Sequence, residues 1–196
     1  FHMLASTLYS HCLKEEQILE KEALSHRYHH IWLMDQSLKA FCVLLPENTK
    51  QVSDIMKVCD RQKLPVVVHG GLTNLVGSTE TTGNEVVIST ERLNKIEEID
   101  TASRTITVQA GVILEHIHDA VLEKELLFPL NFGARGSAQI GGVISTNAGG
   151  LRVLKYGMAR QLVLGLEAVT ANGTVISCMK KIIKDNSAYD LKQLFI

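Results

Sequence analysis

The run HGGLTNLVGS, from His69 to Ser78, concentrates residues whose types and spacing suit the binding of a phosphate. It directly follows an apolar segment, PVVV, and loops that leave the carboxyl ends of parallel strands are where α/β folds bind ligands. Gly70 and Gly71 allow a ligand to approach the main chain closely, while successive N–H groups and the hydroxyls of Thr73 and Ser78 can surround an anion. A tight connection in which glycine supplies the turn is an equally good interpretation of this run alone.

This run matches neither of two common nucleotide-binding motifs. The chain contains no G-x-G-x-x-G of the Rossmann type. No glycine is followed by lysine and then serine or threonine, as a Walker A loop requires.

A second glycine cluster comprises GSAQIGG over residues 136–142 and STNAGG over residues 145–150. Its two Gly-Gly pairs lie eight residues apart among small hydroxyl residues, so both segments carry almost no side-chain bulk. We expect a flat or extended group to lie against them, and close packing of one backbone on another is the alternative.

Other residue types that often do chemistry are not arranged for it here. The group His26, His29 and His30 has no carboxylate or cysteine at a matching spacing for a metal, so we interpret it as part of a solvated segment. His116 and His118 fall on a predicted helix and are expected at its surface. The cysteines form no C-x-x-C pair and are expected to be free intracellular thiols: Cys12, Cys42, Cys59 and Cys178. No catalytic residue and no metal site is predicted.

The composition is that of an ordinary globular protein, with 45% hydrophobic and 21% charged residues among 196. A formal net charge of -1 provides no electrostatic basis for binding nucleic acid. The chain has no apolar run of about 18 residues and no secretory signal, so no transmembrane segment is predicted. We expect an intracellular protein, in the cytoplasm or, as the alternative, in the mitochondrial matrix.

The elements that must position the first cluster form a small α/β unit. The sequence predicts a surface helix over residues 5–24, a buried strand over 41–45 and a second buried strand over 65–68. Between the two strands a helix is predicted over 48–63, beginning with a capping box of Asn48 and Gln51. Strand, helix and strand in this order form a right-handed crossover between parallel strands.

The second cluster lies among shorter elements. Strands are predicted over residues 85–90, 96–99 and 105–110. Residues 128–157 show little amphipathic pattern and are interpreted as one long binding loop. A hairpin of residues 162–170 and 174–178 follows, joined by a two-residue Asn172-Gly173 turn. A helix is also predicted over 113–125, with these side chains directed inward: Ile113, Leu114, Ile117, Val121 and Leu122.

Six sequence blocks, taken together in their order, resemble a known family. They are PVVVHGGLTNLVGS, VVISTERLNKIEEID, TVQAGV, FPLNFGARGSAQIGGVISTNAGGLRVLKYG, VLGLEAVTANGTV and KDNSAYDLKQLFI. They resemble the FAD-binding domain of the vanillyl-alcohol-oxidase type (PCMH-like), and within it the flavin-dependent D-2-hydroxyacid dehydrogenases that act on D-2-hydroxyglutarate and D-lactate. The resemblance covers residues 41–196, after an N-terminal helical segment over 1–40. It implies an α+β fold of two lobes that hold FAD between them, a small N-terminal α/β lobe and a second, mostly antiparallel lobe with helices.

The resemblance also implies which residues hold FAD. The diphosphate belongs on the first loop, at His69, Gly70, Gly71, Leu72, Thr73, Asn74, Leu75, Gly77 and Ser78. The flavin and its ribityl chain belong along Pro129, Leu130, Gly133, Gly136, Ser137, Ile140, Gly141, Gly142, Thr146, Asn147, Gly149 and Gly150, with backbone contacts from Val163 near the adenine. The physical interpretation agrees, because a diphosphate needs N–H donors and a flat ring needs unobstructed backbone.

Three positions depart from the family pattern. The chain has Leu72-Thr73-Asn74 where relatives usually have Asn-Thr-Gly, and Ser78 where many have glycine. Val143 replaces an asparagine, and we expect the loss of that polar side chain to weaken flavin affinity without removing the site. Some relatives attach the flavin through a histidine just after the first Gly-Gly pair. Leu72 occupies that position here, so non-covalent FAD is expected.

The family continues beyond DLKQLF into a block that completes the FAD lobe, and then into a substrate domain. We therefore expect residues 41–196 to be an FAD-binding domain truncated at its C-terminal end, with the substrate domain absent and no activity by itself. The full protein would oxidise a small-molecule D-2-hydroxyacid by hydride transfer to flavin and pass the electrons to an acceptor other than a nicotinamide. The alternatives are a non-catalytic, cofactor-free remnant of the fold and an NADPH-dependent flavoprotein reductase. Apolar surface left uncovered in such a fragment would favour a homo-oligomer.

Overall fold

The computed structural model describes residues 4–179 and 190–196, which form two compact units. The first contains the described residues through Leu93 together with Val169–Val175. The second contains Asn94–Ala168 and the described residues from Ile176 onward. Of the block KDNSAYDLKQLFI, residues 184–189 lie outside the described part of the chain.

The first unit is built on a four-stranded sheet in the order β1-β2-β4-β3, with β1 (Ile18–Leu19), β2 (Cys42–Leu44), β3 (Val66–His69) and β4 (Val86–Ser89). Strands β2, β4 and β3 run parallel, while β1 pairs antiparallel with β2. Every residue of β2 and β4 is buried, as expected for strands in the middle of a parallel sheet. The prediction of a buried strand over 65–68 is wrong, because β3 lies at the edge of the sheet, where Val66 and Val67 are half-buried and Val68 is 56% exposed. Because β4 lies between β2 and β3, the strand predicted over 85–90 completes this first unit.

Helix α2 (Thr49–Gln62) connects β2 to β3 and covers the sheet with Ile55, Val58 and Cys59. The side-chain oxygen of Asn48 accepts a hydrogen bond from the Gln51 N–H at 2.9 Å, which confirms the predicted N-terminus. The capping box is not reciprocal, however. The side-chain oxygen of Gln51 accepts instead from the backbone N–H of Glu47, at 2.7 Å.

The helix predicted over residues 5–24 is wrong. Helix α1 (Ala5–Tyr9) is short, and two 3-10 turns follow it, Glu15–Gln17 and Lys21–Leu24, with β1 between them. The apolar positions in this region are only imperfectly periodic, and long-range pairing outweighs them. The Gln17 side chain is buried and donates to the Leu45 carbonyl at 2.8 Å, which fixes the chain alongside β2.

The second unit contains an antiparallel pair, β5 (Ile96–Asp100) and β6 (Thr105–Val108), and helix α3 (Leu114–Leu122). Leu114, Ile117 and Val121 are buried as predicted, but Leu122 is 70% exposed. Helix α3 ends three residues before the predicted end at residue 125, and Ile113, also predicted to point inward, is half-buried just before the helix begins.

Residues 128–157 do not form one continuous loop. They contain a 3-10 turn, Gly133–Gly136, and the short helices α4 (Ile140–Ser145) and α5 (Val153–Tyr156), with α6 (Ala159–Leu162) just beyond. Helices of one or two turns are too short to display an amphipathic period, which explains the incorrect prediction. A further 3-10 turn spans Leu191–Leu194. Residues 128–157 pack on α3 in an apolar core that includes Val112, Ile117, Val121, Leu130, Ala138, Ile140, Val143 and Ala159.

A hairpin of β7 (Leu166–Val169) and β8 (Val175–Cys178) forms as predicted, but its turn differs. The Gly173 N–H donates to the Thr170 carbonyl at 2.8 Å, and the Thr170 N–H donates to the Thr174 carbonyl at 2.9 Å. Only Gly173 of the turn has a positive φ, +82°. These bonds define a three-residue loop with glycine in the left-handed position rather than the predicted two-residue turn. The α+β class with one parallel and one mostly antiparallel unit is confirmed.

Candidate cofactor site

The loop after β3 is closed at its base by a histidine side chain. His69 ends the strand and is 5% exposed, and its ring Nε2–H donates to the Thr79 carbonyl at 2.8 Å. Desolvation by burial lowers the pKa of His69 to about 4, so the ring is neutral at pH 7. The bond joins the two ends of the predicted phosphate-binding run, which we call the phosphate loop (residues 69–79).

A second set of hydrogen bonds orders the interior of the phosphate loop. The side-chain amide of Asn74 donates to the Thr79 hydroxyl at 3.0 Å, and its oxygen accepts from the Val76 N–H at 3.3 Å. The Thr79 hydroxyl in turn donates to the His29 carbonyl at 2.7 Å. Leu72 has a φ of +57°, in the region where branched side chains are disfavoured. The departures at Leu72 and Asn74 thus take part in a loop held by its own side chains.

The first part of this loop presents main-chain donors that no described residue engages. No described residue accepts a hydrogen bond from the backbone N–H groups of Gly70 through Leu75. Within the described part of the chain, the hydroxyls of Thr73 and Ser78 are also without a hydrogen-bond partner. Successive unpaired N–H groups with adjacent hydroxyls are what a diphosphate requires, so these residues fit that part of FAD.

Helix α4 carries the second glycine cluster and has two different faces. Ile140 and Val143 are buried in the apolar core, whereas Gly142 is exposed. A Cβ at Gly141 would lie 2.9 Å from the Ala110 Cβ, so close packing explains that glycine. A Cβ at Gly142 would meet no described atom within 4 Å. The absence of a side chain at Gly142 therefore has no packing reason, and a flat ligand lying on this open face would supply one.

Packing explains other glycines that the resemblance assigned to the flavin side. A Cβ at Gly150 would lie 2.3 Å from the Asn131 carbonyl oxygen, and the Leu151 N–H donates to that oxygen at 2.9 Å. A Cβ at Gly136 would lie 3.2 Å from a Glu115 carboxylate oxygen. A Cβ at Gly133 would meet no described atom within 4 Å. Backbone packing thus explains Gly141 and Gly150, while the interpretation that a ligand lies against Gly133 and Gly142 stays a prediction.

The remaining residues predicted for the flavin side have mixed surroundings. Asn147 has a left-handed φ of +46°, and its side-chain oxygen accepts from the Arg160 N–H at 3.0 Å. Thr146 is exposed at the C-terminal end of α4, and its hydroxyl donates to the Gly142 carbonyl at 2.9 Å. Leu130 and Ile140 point into the core, so only their main chains can face a ligand. Half-buried positions are Pro129, Ser137, Gly149 and Val163.

Val143 is the departure whose surroundings are clearest. It is 4% exposed and lies in the apolar core of the second unit. This surrounding suits valine, and a polar amide there would lose its water without an evident partner. No finding tests the expected effect of Val143 on flavin affinity, but burial of this side chain in the core argues against that expectation.

Two histidine expectations need correction. His30 is not solvated: it is 3% exposed, stacks on Trp32 with ring centroids 4.4 Å apart, and its Nε2 lies 3.5 Å from a Glu80 carboxylate oxygen. His118 is half-buried, and its Nε2 lies 2.7 Å from the Leu130 carbonyl, so it supports the structure of the second unit. His116 is exposed as predicted. Among the described residues no group of three or more potential ligands is placed to hold a metal ion.

Sequence reasoning missed Thr79, which joins Asn74, His69 and His29 through three hydrogen bonds. Its position just past the run HGGLTNLVGS was the only available signal. Its most distant partner, His29, is 50 residues away in the chain, and no local pattern encodes that contact.

Solved structures share the fold of this chain. The chain superposes on an alkyldihydroxyacetonephosphate synthase with a TM-score of 0.82 and 15% identity, covering 98% of this chain and 37% of the other. It superposes on a variant of berberine bridge enzyme with a TM-score of 0.76 and 21% identity, covering 89% and 36%. At these identities the likeness concerns the fold, which is that of the PCMH-type flavoproteins.

The sequence profile of the FAD-binding domain family matches residues 40–179. The chain therefore belongs to the FAD-binding domain family, and its cofactor is FAD.

Curated relatives share more of the sequence than the solved structures do. The chain is 42% identical over 184 residues to the mitochondrial D-2-hydroxyglutarate dehydrogenase of Arabidopsis thaliana, covering 94% of this chain and 33% of the relative. It is 41% identical over 186 residues to a D-2-hydroxyglutarate–pyruvate transhydrogenase of Saccharomyces cerevisiae, covering 94% and 38%. The mitochondrial D-2-hydroxyglutarate dehydrogenase of Danio rerio is 44% identical over 165 residues, with 84% and 31% covered. The chain thus spans about a third of the length of these relatives. No helix among the described residues is long and apolar enough to cross a membrane.

Proposed function

We propose that this chain is the FAD-binding part of an oxidoreductase that oxidises a D-2-hydroxyacid of the D-2-hydroxyglutarate or D-lactate class. The observation that carries the proposal is identity of 41–44% over 84–94% of the chain to proteins named for D-2-hydroxyglutarate. Bound FAD would supply the chemistry by accepting the hydride from the hydroxyl-bearing carbon of the substrate. The electrons then pass to an acceptor other than a nicotinamide.

The role proposed for the described residues of this chain is to bind and orient the cofactor. The unpaired N–H groups from Gly70 to Leu75 would hold the diphosphate. The open face of α4 at Gly142 would accommodate the flat part of the cofactor. No acid–base pair is assigned, so the substrate-handling groups would come from another part of the whole protein.

Non-covalent attachment is part of the proposal. The position after the Gly70-Gly71 pair is Leu72, which has no nucleophilic atom. The nearest histidine along the chain is His69, which is buried, with its Nε2 engaged by the Thr79 carbonyl. Denaturation should therefore release all bound flavin into the supernatant.

The cofactor half of the proposal is tested by flavin retention. The purified chain is incubated with FAD, desalted and scanned from about 300 to 600 nm. Gly142→Leu places its Cβ where no described atom lies within 4 Å, on the exposed face of α4, so we expect it to fold normally. It should retain at least tenfold less FAD, by the rule that about 1.4 kcal/mol of binding energy is tenfold in affinity. His116→Leu adds the same exposed side chain on α3 and should retain FAD like the wild type. Equal retention by both variants would remove Gly142 from the site.

The substrate half is tested on the full-length protein. Anaerobic addition of D-2-hydroxyglutarate or D-lactate should bleach the flavin absorbance, whereas the L-enantiomers and NADPH should not. Bleaching by NADPH alone would favour a flavoprotein reductase. A chain that folds but never retains FAD would favour a cofactor-free remnant.

Location and assembly remain parts of the proposal. Two of the relatives named above carry "mitochondrial" in their names, which favours the matrix over the cytoplasm. Cell fractionation tests the location of this protein. Size-exclusion chromatography tests the expected self-association, and a clean monomer would contradict it.

A further inference from the structure

Residues before the family match take part in the phosphate loop. The segment His29–Trp32, which we call the strap, lies outside the matched residues 40–179. Nevertheless it forms hydrogen bonds with three residues of the phosphate loop: Leu72, Asn74 and Thr79. These bonds join the Ile31 N–H to the Leu72 carbonyl at 3.1 Å, the Trp32 indole N–H to the Asn74 carbonyl at 3.1 Å, and the Thr79 hydroxyl to the His29 carbonyl at 2.7 Å.

The loop depends on such restraints because its middle is not packed. Leu75 is 81% exposed and Val76 is 74% exposed, so burial does not hold them. Leu72 has its left-handed φ of +57° immediately before this exposed part. A conformation disfavoured for leucine persists only where the surroundings impose it. The strap bonds on the carbonyls of Leu72 and Asn74 lie on either side of Thr73 and supply that restraint.

Trp32 is the side chain of the strap best suited to this role. It is 53% exposed, so hydrophobic burial alone does not explain its position. Its ring is oriented by stacking on buried His30, with an interplanar angle of 24°. The stacking directs the indole N–H to the Asn74 carbonyl, in the part of the loop whose N–H groups have no described acceptor.

We propose that Trp32 is a positioning residue of the FAD site: through its indole N–H it holds the phosphate loop in the conformation that presents the Gly70–Leu75 N–H groups to the diphosphate. The inference rests on the assignment of this loop to FAD in the proposed function. It extends the cofactor site to a segment upstream of the matched domain.

The test compares two exposed side chains of the same region. Trp32→Phe keeps an aromatic ring to stack on His30 but removes the N–H donor, whereas Met34→Ala truncates a neighbouring side chain that is 60% exposed. Dissociation constants are measured by calorimetry for FAD and for ADP, which carries the same diphosphate without the flavin. We expect Trp32→Phe to weaken both about five- to tenfold, the loss of roughly one hydrogen bond, and Met34→Ala to leave both unchanged.

The midpoint of thermal unfolding without ligand separates a positioning role of Trp32 from a merely structural one. Positioning predicts that the midpoint of Trp32→Phe matches the wild type while its affinity for ADP falls; a lower midpoint with unchanged affinity would overturn the inference. A second measurement uses the unmodified chain, in which Trp32 is the only tryptophan. Its emission, excited at about 295 nm where ADP does not absorb, should shift when ADP binds, and an unchanged emission at saturation would also count against the inference.

The outcomes distinguish this inference from the proposed function. If the wild type binds FAD and Trp32→Phe binds it equally well, the inference is overturned and the proposed function stands. If the wild type binds neither FAD nor ADP, the cofactor assignment fails and the role of Trp32 fails with it.

Discussion

The buried neutral histidine at the base of the phosphate loop should make the stability of the protein depend on pH. His69 is 5% exposed, and burial lowers its pKa from 6.5 to about 4, with Coulombic interactions with His29, Arg27 and His30 acting in the same direction. The bond to the Thr79 carbonyl offsets part of this shift. Between pH 6.5 and pH 4 the unfolded chain therefore binds a proton at this position that the folded chain does not.

The sign and size follow from linkage. Because the unfolded state holds more protons in this window, stability is fully present above pH 6.5 and is lost as the pH falls toward 4. For a folded pKa of about 4, the contribution lost between pH 7.5 and pH 5.5 is about 1.3 kcal/mol, on the scale of about 1.4 kcal/mol per pKa unit. Near pH 4.5 the loss reaches about 2.5 kcal/mol by the same relation.

The assay is urea unfolding at pH 7.5 and pH 5.5, comparing the wild type with His69→Gln. Glutamine keeps an N–H donor for the Thr79 carbonyl but does not titrate, and every other histidine is common to both proteins. The wild type should lose about 1.3 kcal/mol more than the variant on acidification. Equal losses would refute the argument, since His69 would then titrate alike in the folded and unfolded chains.

Three further substitutions test how individual positions are packed. Gly173→Ala should destabilise the protein by at least about 2 kcal/mol in urea unfolding, because a Cβ there would lie 2.5 Å from the Lys57 Cγ and the backbone φ is +82°. Gly141→Ala, which would approach the Ala110 Cβ to 2.9 Å, should cost about 1–3 kcal/mol, and a variant as stable as the wild type would show that α4 can shift. Val143→Asn restores the residue usual in the family but buries an amide at a site 4% exposed, so a thermal melt should show a loss of about 1–3 kcal/mol and a flavin titration no gain in affinity. Tighter FAD binding by that variant would mean that position 143 faces the cofactor.

Local sequence patterns predicted the elements that depend on local interactions. Asn48 begins α2 because its side chain caps the Gln51 N–H three residues later, an interaction that any helix of this sequence would make. Strand β2 is apolar without interruption, and in a parallel sheet that pattern indicates burial on both faces, as observed. The apolar run over 65–68 led to the same prediction for β3, which failed because β3 lies at the edge of the sheet. The hairpin also followed from its Asn172-Gly173 pair. Its loop length did not, because two- and three-residue turns both place glycine at a positive φ.

The errors arose where distant residues decide the structure. The segment around Ile18 has enough apolar residues for a helix, yet pairing with β2 and the buried Gln17 side chain make it a strand. The sequence predicted that His30 is solvated, but in the structure its ring stacks on Trp32 and its Nε2 lies near the Glu80 carboxylate.

The two glycine clusters show how far residue type alone can identify a site. The types of residues 69–78 suggested a phosphate loop, and the structure adds what the types do not contain: main-chain donors from Gly70 to Leu75 without a described acceptor, held by side chains at Thr79 and Trp32. In the second cluster, two neighbouring glycines differ in what surrounds them. Contact with Ala110 leaves no room for a side chain at Gly141, whereas a Cβ at Gly142 would meet no described atom within 4 Å. A glycine whose missing side chain no packing explains is the better indicator of a ligand. Substitutions at Gly142 and Gly141 should therefore separate cofactor affinity from stability.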